Sequence, residues 1–233
     1  MGRPVLSYVI NAVRRLSPAR LILIVGFMKE EIFAQLKGES YEYAVQAEPL
    51  GTGHAVLSAC GLLGGHDGDV LILCGDVPFL SSETLQTLLE QHRSNNAMGT
   101  VLTAEVENPT GYGRIKRNGN GSVAGIMEEL NASPEERTIH EINSGVYVFR
   151  CKKLFDLLGR LKPDPVKGEY YLTDVVKLAV GEGVAIGAYR TPNPEETIGI
   201  NSFEDMKKAE EFLQRHQRAT SETRETKDVS RDA

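Results

Sequence analysis

The stretch Val70-Leu71-Ile72-Leu73-Cys74-Gly75-Asp76-Val77-Pro78 decides the fold class of this chain. Its continuous apolar run predicts a buried strand, and the Gly-Asp pair follows where that strand ends. Ligands of open α/β sheets lie beyond the carboxyl ends of strands, where an aspartate can hold a divalent metal against phosphates. The stretch therefore predicts an α/β sheet with a phosphate-related site near Asp76.

The segments around this strand alternate between helical and extended periodicity. Apolar residues recur at helical spacing over 5–16, and 21–25 is a short apolar run typical of a strand buried on both faces. Such an alternation predicts a doubly wound α/β unit. It continues with helices over 28–37 and 53–63 and strands over 41–45 and 69–74.

The second half of the chain is predicted to extend the sheet with shorter antiparallel strands. Strong turn signals at 108–111 and 118–121 separate the extended segments. We expect strands over 99–107, 111–117, 122–128, 143–149 and 183–189, and helices over 154–161, 171–180 and 203–214. Large apolar residues are almost absent from 216–233, so we expect one domain over 1–215 and a disordered tail.

Composition excludes several functional classes. The net charge is −6, and no Lys/Arg cluster is interleaved with aromatic residues, so the electrostatic attraction that drives nucleic-acid binding is absent. No apolar run is long enough to cross a membrane, and no basic, apolar leader is present. Cys60, Cys74 and Cys151 are widely spaced in apolar surroundings, which favours buried reduced thiols and a cytoplasmic protein.

Several short motifs carry candidate functional groups, and each also has a purely structural interpretation. Gly51-Thr52-Gly53 either presents backbone N–H groups to a nucleotide or simply opens a helix, with His54 as a structural or capping residue. Gly111-Tyr112-Gly113-Arg114 is either a ligand-contacting loop or a hairpin turn with its arginine in water. Glu128-Glu129 and Asn143-Ser144-Gly145 are either binding groups or, respectively, a solvated charge pair and a strand entrance.

Taken together and in order, these motifs resemble one known family. Over about residues 2–213 the chain is similar to the N-terminal uridylyltransferase domain of bacterial bifunctional N-acetylglucosamine-1-phosphate uridyltransferases. The resemblance is carried by Q-A-E-P-L-G-T-G-H-A (46–55), L-C-G-D-V-P (73–78), N-P-T-G-Y-G-R-I (108–115), I-N-S-G-V (142–146), G-E-Y-Y-L-T-D (168–174) and G-I-N-S-F (199–203). It implies a Rossmann-like nucleotide-diphospho-sugar transferase fold with a mixed, mainly parallel sheet, formed by a nucleotidyltransferase domain over 1–215.

The resemblance also implies an activity and a set of site residues. The implied substrates are UTP and N-acetylglucosamine 1-phosphate, and the implied ion is Mg²⁺. The implied products are pyrophosphate and UDP-N-acetylglucosamine, which is a precursor of peptidoglycan. Positioning and charge neutralisation carry such an in-line transfer, so no protein nucleophile is required and no catalytic residue is identified. The implied ligands of uridine are Gln46, Gly51 and Thr52, and those of the metal are Asp76 and Asn201. The implied sugar-binding residues are Gly113, Glu128, Asn143, Tyr171 and Thr173.

One part of the family pattern is not found in the sequence. In relatives a first strand, a glycine-rich phosphate loop and a Pro-Lys pair precede a Gly-x-Pro segment, with which this sequence starts as Met1-Gly2-Arg3-Pro4. We therefore expect impaired transferase activity, because each preorganised electrostatic group of this kind is worth about 10²–10³-fold. We also expect either poor folding of the isolated chain or a groove with two unpaired strand edges where relatives place that first strand.

Two alternatives to the transferase interpretation remain open. A nucleotide-sugar binding module would retain UDP-N-acetylglucosamine without forming it, and a sibling pyrophosphorylase would use another sugar or base. Gln46 favours uracil, because a glutamine amide pairs with both a carbonyl and an imide N–H. Glu128 and Asn143 favour an N-acetylated sugar. The oligomeric state is not predicted.

Overall fold

A computed structural model describes residues 4–200, 202, 205 and 207 of the protein. Its helices are α1 (Val5–Arg14), α2 (Lys29–Gln35), α3 (Thr52–Leu57), α4 (Cys60–Leu63), α5 (Ser82–Ser94), α6 (Pro134–Arg137), α7 (Cys151–Leu158) and α8 (Thr173–Gly181). Its strands are β1 (Ile22–Val25), β2 (Glu42–Val45), β3 (Asp69–Ile72), β4 (Gly99–Glu105), β5 (Arg114–Arg117), β6 (Val123–Met127), β7 (Glu141–Arg150) and β8 (Ile186–Arg190). Short 3₁₀ turns lie at Glu129–Asn131 and Pro194–Thr197.

The long strand β7 organises the main sheet. The six-stranded sheet has the order β6-β5-β7-β4-β8, and β3 pairs with β7 off this path. β3 and β4 both pair with the segment of β7 around Val148, so they lie on opposite edges of β7. β5 pairs with β7 on the same edge as β3, but near Ile142 at the other end of β7. A separate two-stranded sheet contains β1 and β2 in parallel.

The α/β class and the mixed sheet are confirmed, whereas the expectation of mainly parallel pairing is wrong. β7 is antiparallel to β3, β4 and β5, and β6 is antiparallel to β5. In the described strands, parallel pairing joins β1 with β2 and β4 with β8. Antiparallel pairing dominates because β7 lies between β3 and β4. These two strands run in the same direction but are bonded to β7 and not to each other.

The predicted groove with unpaired strand edges is found between β1 and β3. A cavity of about 980 Å³ is lined by 21–25 on one side and by 69–73 on the other. The expectation that 21–25 is buried on both faces is therefore only partly met, since Ile22 and Ile24 are half-buried.

Within the described residues the predicted elements are present with shifted ends, but one helix is divided and two helices, α5 and α6, are additional. The helix expected over 53–63 is divided into α3 and α4, where the Ser58 hydroxyl donates to the His54 carbonyl at 3.0 Å and competes with helix propagation. Helix α5 was not expected. Ser81 caps it by accepting from the Thr84 N–H at 3.1 Å, which is the sequence signal that could have located it.

The predicted carboxyl-terminal features lie mostly outside the described residues. Of the helix expected over 203–214, the structure describes Asp205 and Lys207, both helical. The tail expected over 216–233 and the domain limit at 215 stay predictions. The cysteine prediction is wrong for Cys60, which is exposed, whereas Cys74 is half-buried and Cys151 buried.

The core has two main parts, one on each face of the six-stranded sheet. One packs α7 and α8 against β7, around Tyr147, Phe149 and Leu157. The other packs α5 against the opposite side chains of β4 and β7, including Leu85 and Leu102. A smaller cluster joins α1, α2 and β1. The two-stranded sheet is thus held to the rest of the protein mainly through α1.

A buried histidine on α5 makes the stability of the fold depend on pH. His92 is fully buried; its Nδ1 lies 3.0 Å from Oγ1 of Thr100, and its Nε2 lies 3.4 Å from Oδ1 of Asp69. Burial lowers the pKa of His92 more than the Asp69 carboxylate raises it, and Arg150 and Arg93 act in the lowering direction. His92 is therefore held neutral in the fold.

We expect the free energy of unfolding to fall as the pH drops below about 6.5, because the unfolded chain then binds a proton that folded His92 resists. Urea denaturation at a series of pH values measures this slope. His92→Gln should flatten it, whereas His140→Gln, at an exposed position, should leave it unchanged. An unchanged slope in His92→Gln would contradict the assignment.

Candidate active site

Asp76 lies just beyond the carboxyl end of β3, as predicted. Its backbone carbonyl accepts a hydrogen bond from the Ile200 N–H at 2.9 Å, which places the start of the 199–203 motif beside it. The side chain is half-buried and lines the cavity between β1 and β3. Asn201, the second predicted metal ligand, lies outside the described residues.

The predicted uridine-binding stretch folds into a closed turn between β2 and α3. The Gln46 N–H donates to the Val25 carbonyl at 2.7 Å, which extends the pairing of β1 and β2 by one step. The Gln46 side-chain amide donates to the Gly51 carbonyl at 3.0 Å and lies 3.1 Å from Nδ1 of His54. Gln46 is thus oriented by the turn itself, and His54 has the structural role expected from the sequence.

This turn is joined to the segment before α8 by three hydrogen bonds. The Tyr170 N–H donates to the Leu50 carbonyl at 2.8 Å, and the Gly53 N–H donates to the Tyr170 carbonyl at 2.7 Å. Oγ1 of Thr52 accepts from the Leu172 N–H at 3.0 Å. The structure therefore brings the predicted uridine turn against the segment that carries two predicted sugar-binding residues.

Gly51 is required by this close approach. Its φ is +98°, and a Cβ there would lie 2.7 Å from the Tyr170 carbonyl oxygen and 2.9 Å from the Tyr170 nitrogen. The backbone conformation is one that side chains other than glycine avoid. The glycine therefore serves the packing of the turn, whatever else it contacts.

Four of the five predicted sugar-binding residues form two hydrogen-bonded pairs. Oγ1 of Thr173, at the start of α8, donates to Oε1 of Glu128 at 2.6 Å. The Asn143 N–H donates to the Gly113 carbonyl at 2.8 Å, where β7 passes β5. Tyr171 is half-buried and precedes Thr173 by two positions. Partial burial raises the pKa of Tyr171, and nearby carboxylates raise it further.

Asn143 is held in place by its neighbours on β7. Its Oδ1 accepts from the Gly145 N–H at 3.1 Å, and its side chain forms a hydrogen bond with the buried Tyr147 hydroxyl. Burial raises the pKa of Tyr147, so this hydroxyl stays protonated. The Gly145 carbonyl lies 3.8 Å from Sγ of Cys74. These contacts connect Asn143 to the segment between β3 and Asp76.

The sequence analysis missed the structural role of Arg114. This guanidinium is 1% exposed, donates to the Tyr112 carbonyl, and pairs with Oε2 of Glu129 at 2.7 Å. The interpretation of Arg114 as a residue in water is wrong, and so is that of Glu128-Glu129 as a solvated charge pair. The position of Arg114 at the start of β5, four residues before the next turn signal, was the only available indication.

Tyr112 is a second residue that the sequence analysis did not single out. Burial raises the pKa of Tyr112, and the negative charges of Asp205 and Asp76 raise it further. A hydrogen bond with the Gly199 backbone lowers the pKa but does not offset these effects. The hydrogen bond with Gly199 therefore brings the Tyr112 hydroxyl to the 199–200 segment, which is bonded to the backbone of Asp76.

The site consists of amide, hydroxyl and carboxylate groups next to the turn that contains Gly51. Within the described part of the chain, no group of three or more His, Cys, Asp or Glu side chains is placed to hold a metal ion. Mg²⁺ is commonly held by one or two carboxylates together with substrate phosphates. The half-buried carboxylate of Asp76, beyond a strand end, fits such a shared site as a single hard-oxygen ligand.

A mixed α/β sheet with this polar site beyond its strand ends defines a nucleotide-handling α/β domain. The family described as nucleotidyl transferase matches residues 1–219, and the chain belongs to that family. It is 44% identical over 214 residues to the bifunctional protein GlmU of Pelotomaculum thermopropionicum. The aligned segment covers 92% of this chain and 47% of that protein. It is 45% identical over 212 residues to GlmU of a Geobacillus species, covering 91% of this chain and 46% of that protein.

These comparisons confirm the resemblance stated from the sequence motifs. The chain spans about half the length of the curated relatives that it matches. The fold is also similar to a crystal structure of UDP-glucose pyrophosphorylase complexed with UDP-glucose, with a TM-score of 0.68 at 16% identity, covering 80% of this chain and 78% of that one. Among the described residues, no helix combines the length and apolar character that a membrane crossing requires.

Proposed function

We propose that this chain is a uridylyltransferase domain that joins UTP and N-acetylglucosamine 1-phosphate to UDP-N-acetylglucosamine, with release of pyrophosphate. The observation that carries the proposal is the continuous set of contacts from Gln46 through Gly51 and Tyr170 to Thr173 and Glu128. A nucleotide sugar needs a base pocket and a sugar pocket held at a fixed separation. Here one segment, 170–173, is bonded to both.

The base is proposed to lie against the turn from Gln46 to Thr52. The Gln46 amide nitrogen already donates to Gly51, and its carbonyl oxygen is left to accept from the uracil imide N–H. Thr52 is proposed to act through its exposed backbone and methyl group, because its hydroxyl accepts from Leu172.

The sugar is proposed to lie among Gly113, Glu128, Asn143, Tyr171 and Thr173. Glu128 offers a carboxylate to sugar hydroxyls or to the acetamido N–H, and the Thr173 hydroxyl orients that carboxylate. The Asn143 amide nitrogen carries two N–H groups, so one remains to donate to a sugar oxygen beside the side-chain hydrogen bond with Tyr147. The absence of a side chain at Gly113 leaves room beside Asn143, whose Cβ lies 3.6 Å from the place a Gly113 Cβ would take.

Asp76 and Asn201 are proposed to hold Mg²⁺, which when bound neutralises phosphate charge and orients the α-phosphate. The reaction needs an attacking sugar-phosphate oxygen in line with the departing pyrophosphate, and positioning supplies most of the rate. The residues of this chain then bind and align the two substrates. We propose a cytoplasmic location and a role in peptidoglycan precursor synthesis, since both substrates are small, charged cytoplasmic metabolites.

The second candidate is a nucleotide-sugar binding module without turnover. It is favoured by the open cavity beside Asp76, where the described residues place no side chain of Lys or Arg within salt-bridge distance of that carboxylate. Titration calorimetry with UDP-N-acetylglucosamine, combined with pyrophosphate release from UTP and N-acetylglucosamine 1-phosphate, separates the two. Binding with release supports the transferase, binding without release supports the module, and no binding contradicts both.

Glu128→Gln tests the sugar pocket. The glutamine oxygen can still accept from Thr173, so we expect normal folding, but loss of the charge should weaken UDP-N-acetylglucosamine binding about tenfold. Binding of UDP, which lacks the sugar, should not change. Glu105→Gln, at an exposed end of β4, is the matched control and should bind both ligands normally. Equal loss for UDP and the nucleotide sugar would contradict the assignment.

A further inference from the structure

The segment 196–200 runs beside the loop that carries Asp76. The Ile200 N–H donates to the Asp76 carbonyl at 2.9 Å, and the Ser81 N–H donates to Oε2 of Glu196 at 3.1 Å. Position 76 thus meets 200 and position 81 meets 196, so the two segments run in opposite directions and are bonded at both ends. Ser81 and Glu196 are 115 positions apart in the sequence, so this contact is set by the tertiary structure.

Glu196 anchors one end of the 196–200 segment. Its residue is only 8% exposed, and its Oε2 also accepts from the Ser81 hydroxyl at 3.0 Å. Its Oε1 accepts from the Asn193 side-chain amide at 3.3 Å. Ser81 is the N-cap of α5, so the carboxylate lies at the helix end that attracts negative charge. A buried carboxylate is costly unless it is hydrogen-bonded, and both oxygens of Glu196 are bonded.

Tyr112 anchors the other end from a different part of the chain. A hydrogen bond joins its hydroxyl to the Gly199 backbone. The main chain of Tyr112 is itself held, because its N–H donates to the Pro109 carbonyl at 3.1 Å. Its carbonyl accepts from the buried Arg114 guanidinium. The hydroxyl therefore belongs to a fixed loop, which continues into Gly113 of the proposed sugar pocket.

The two anchors act on the backbone of the candidate metal site. Asp76 is one proposed ligand, and Asn201, the other, follows Ile200 in the sequence. Two ligands from distant parts of a chain bind one ion tightly only when the residues around them hold their separation. The hydrogen bond between Asp76 and Ile200 sets this separation. Tyr112 and Glu196 hold the 196–200 segment where that bond can form.

We propose that Tyr112 and Glu196 are positioning residues for divalent-metal binding at Asp76. Tyr112 acts through the Gly199 backbone, and Glu196 acts through Ser81. Neither side chain touches the ion. The inference rests on the proposed function, because that proposal puts the metal at this place. It adds two residues whose loss should weaken metal binding while the ligands themselves are unchanged.

Tyr112→Phe tests the first anchor, because it removes one hydroxyl and keeps the ring. The probe is Mn²⁺, titrated into the full 233-residue chain alone and again with UDP-N-acetylglucosamine. Paramagnetic broadening of the Asp76 and Ile200 amide signals in NMR reports binding. The dissociation constant for Mn²⁺ should rise about fivefold, as expected for the loss of one hydrogen bond. Tyr189→Phe, at a half-buried tyrosine of β8, is the matched control and should bind Mn²⁺ normally.

Glu196→Ala tests the second anchor and should weaken Mn²⁺ binding about tenfold. Glu196→Gln keeps an acceptor for the Ser81 N–H and should bind within about twofold of the unmodified chain. Both variants lose the charge, so the difference between them reports the hydrogen bond. Glu195→Ala removes the neighbouring carboxylate, which is exposed, and should have no effect. Lower stability of Glu196→Ala with unchanged Mn²⁺ affinity would show that Glu196 only caps α5, and would overturn its assignment.

Amide hydrogen exchange tests the positioning without an ion. The Ile200 N–H should exchange about tenfold faster in Tyr112→Phe and in Glu196→Ala, because its bond to Asp76 opens more often. The amide of Val148, buried in β7, is the internal reference and should not change. Unchanged exchange at Ile200 in both variants would overturn the proposal.

The Mn²⁺ titration of the unmodified chain separates this proposal from the proposed function. If that chain binds Mn²⁺ and the Tyr112→Phe and Glu196→Ala variants bind it equally well, only the positioning roles are wrong. If the unmodified chain binds no Mn²⁺ in either condition, the metal assignment of the proposed function is wrong as well.

Discussion

Replacing Arg114 by alanine is expected to lower the free energy of unfolding by about 3–5 kcal/mol, which is enough to unfold a marginal domain. The guanidinium is 1% exposed and pairs with Glu129 at 2.7 Å at the junction of β5 and the turn after β6. Removal leaves the Glu129 carboxylate without its partner and leaves a cavity at the edge of the core. Urea denaturation measures the loss.

Two controls separate burial from simple loss of charge. Arg190→Ala removes an ion pair with Glu105 whose side chains are 57% and 60% exposed, and should cost less than about 1 kcal/mol. Arg114→Met combined with Glu129→Gln removes both charges but keeps volume, and should recover part of the loss. A cost for Arg114→Ala no larger than that for Arg190→Ala would show that the buried pair does not stabilise the fold.

Gly51→Ala is expected to have the second large effect, on stability and on nucleotide binding together. At φ +98° a non-glycine residue costs about 1–3 kcal/mol, and the new Cβ would lie 2.7 Å from the Tyr170 carbonyl oxygen. Relief of this overlap requires the turn to separate from 170–172. The Gln46 amide would then lose its position, and we expect no measurable binding of UDP by calorimetry.

Gly38→Ala is the matched control for this substitution. Gly38 has φ +90°, but a Cβ there would meet nothing within 4 Å. Gly38→Ala therefore measures the cost of the backbone conformation without a steric overlap such as that between Gly51→Ala and Tyr170. This variant should bind UDP normally. Comparable unfolding free energies and comparable UDP affinities for the two variants would mean that the contact with Tyr170 is unimportant.

Local patterns in the sequence were sufficient for most helices and strands and for the closed turn at Gln46. Apolar periodicity indicated β3 and the helix at α8, and the glycines at 51 and 53 indicated a turn whose backbone is closely approached. The same patterns missed α5, because its apolar positions, Leu85 and Leu88, are spaced among polar residues and its Ser81 cap is a weak signal. They also placed Arg114 in water, since burial of a charge depends on a partner that is distant in the sequence.

The sequence by itself determined the α/β class and the family, because residue motifs and short-range periodicity do not depend on distant contacts. Only the tertiary structure decided the antiparallel insertion of β7 between β3 and β4, and the joining of the 50–53 turn to 170–172. It also decided the opening of the cavity between β1 and β3. Each of these depends on hydrogen bonds between segments far apart in the chain, whose pairing and direction local residue patterns do not specify.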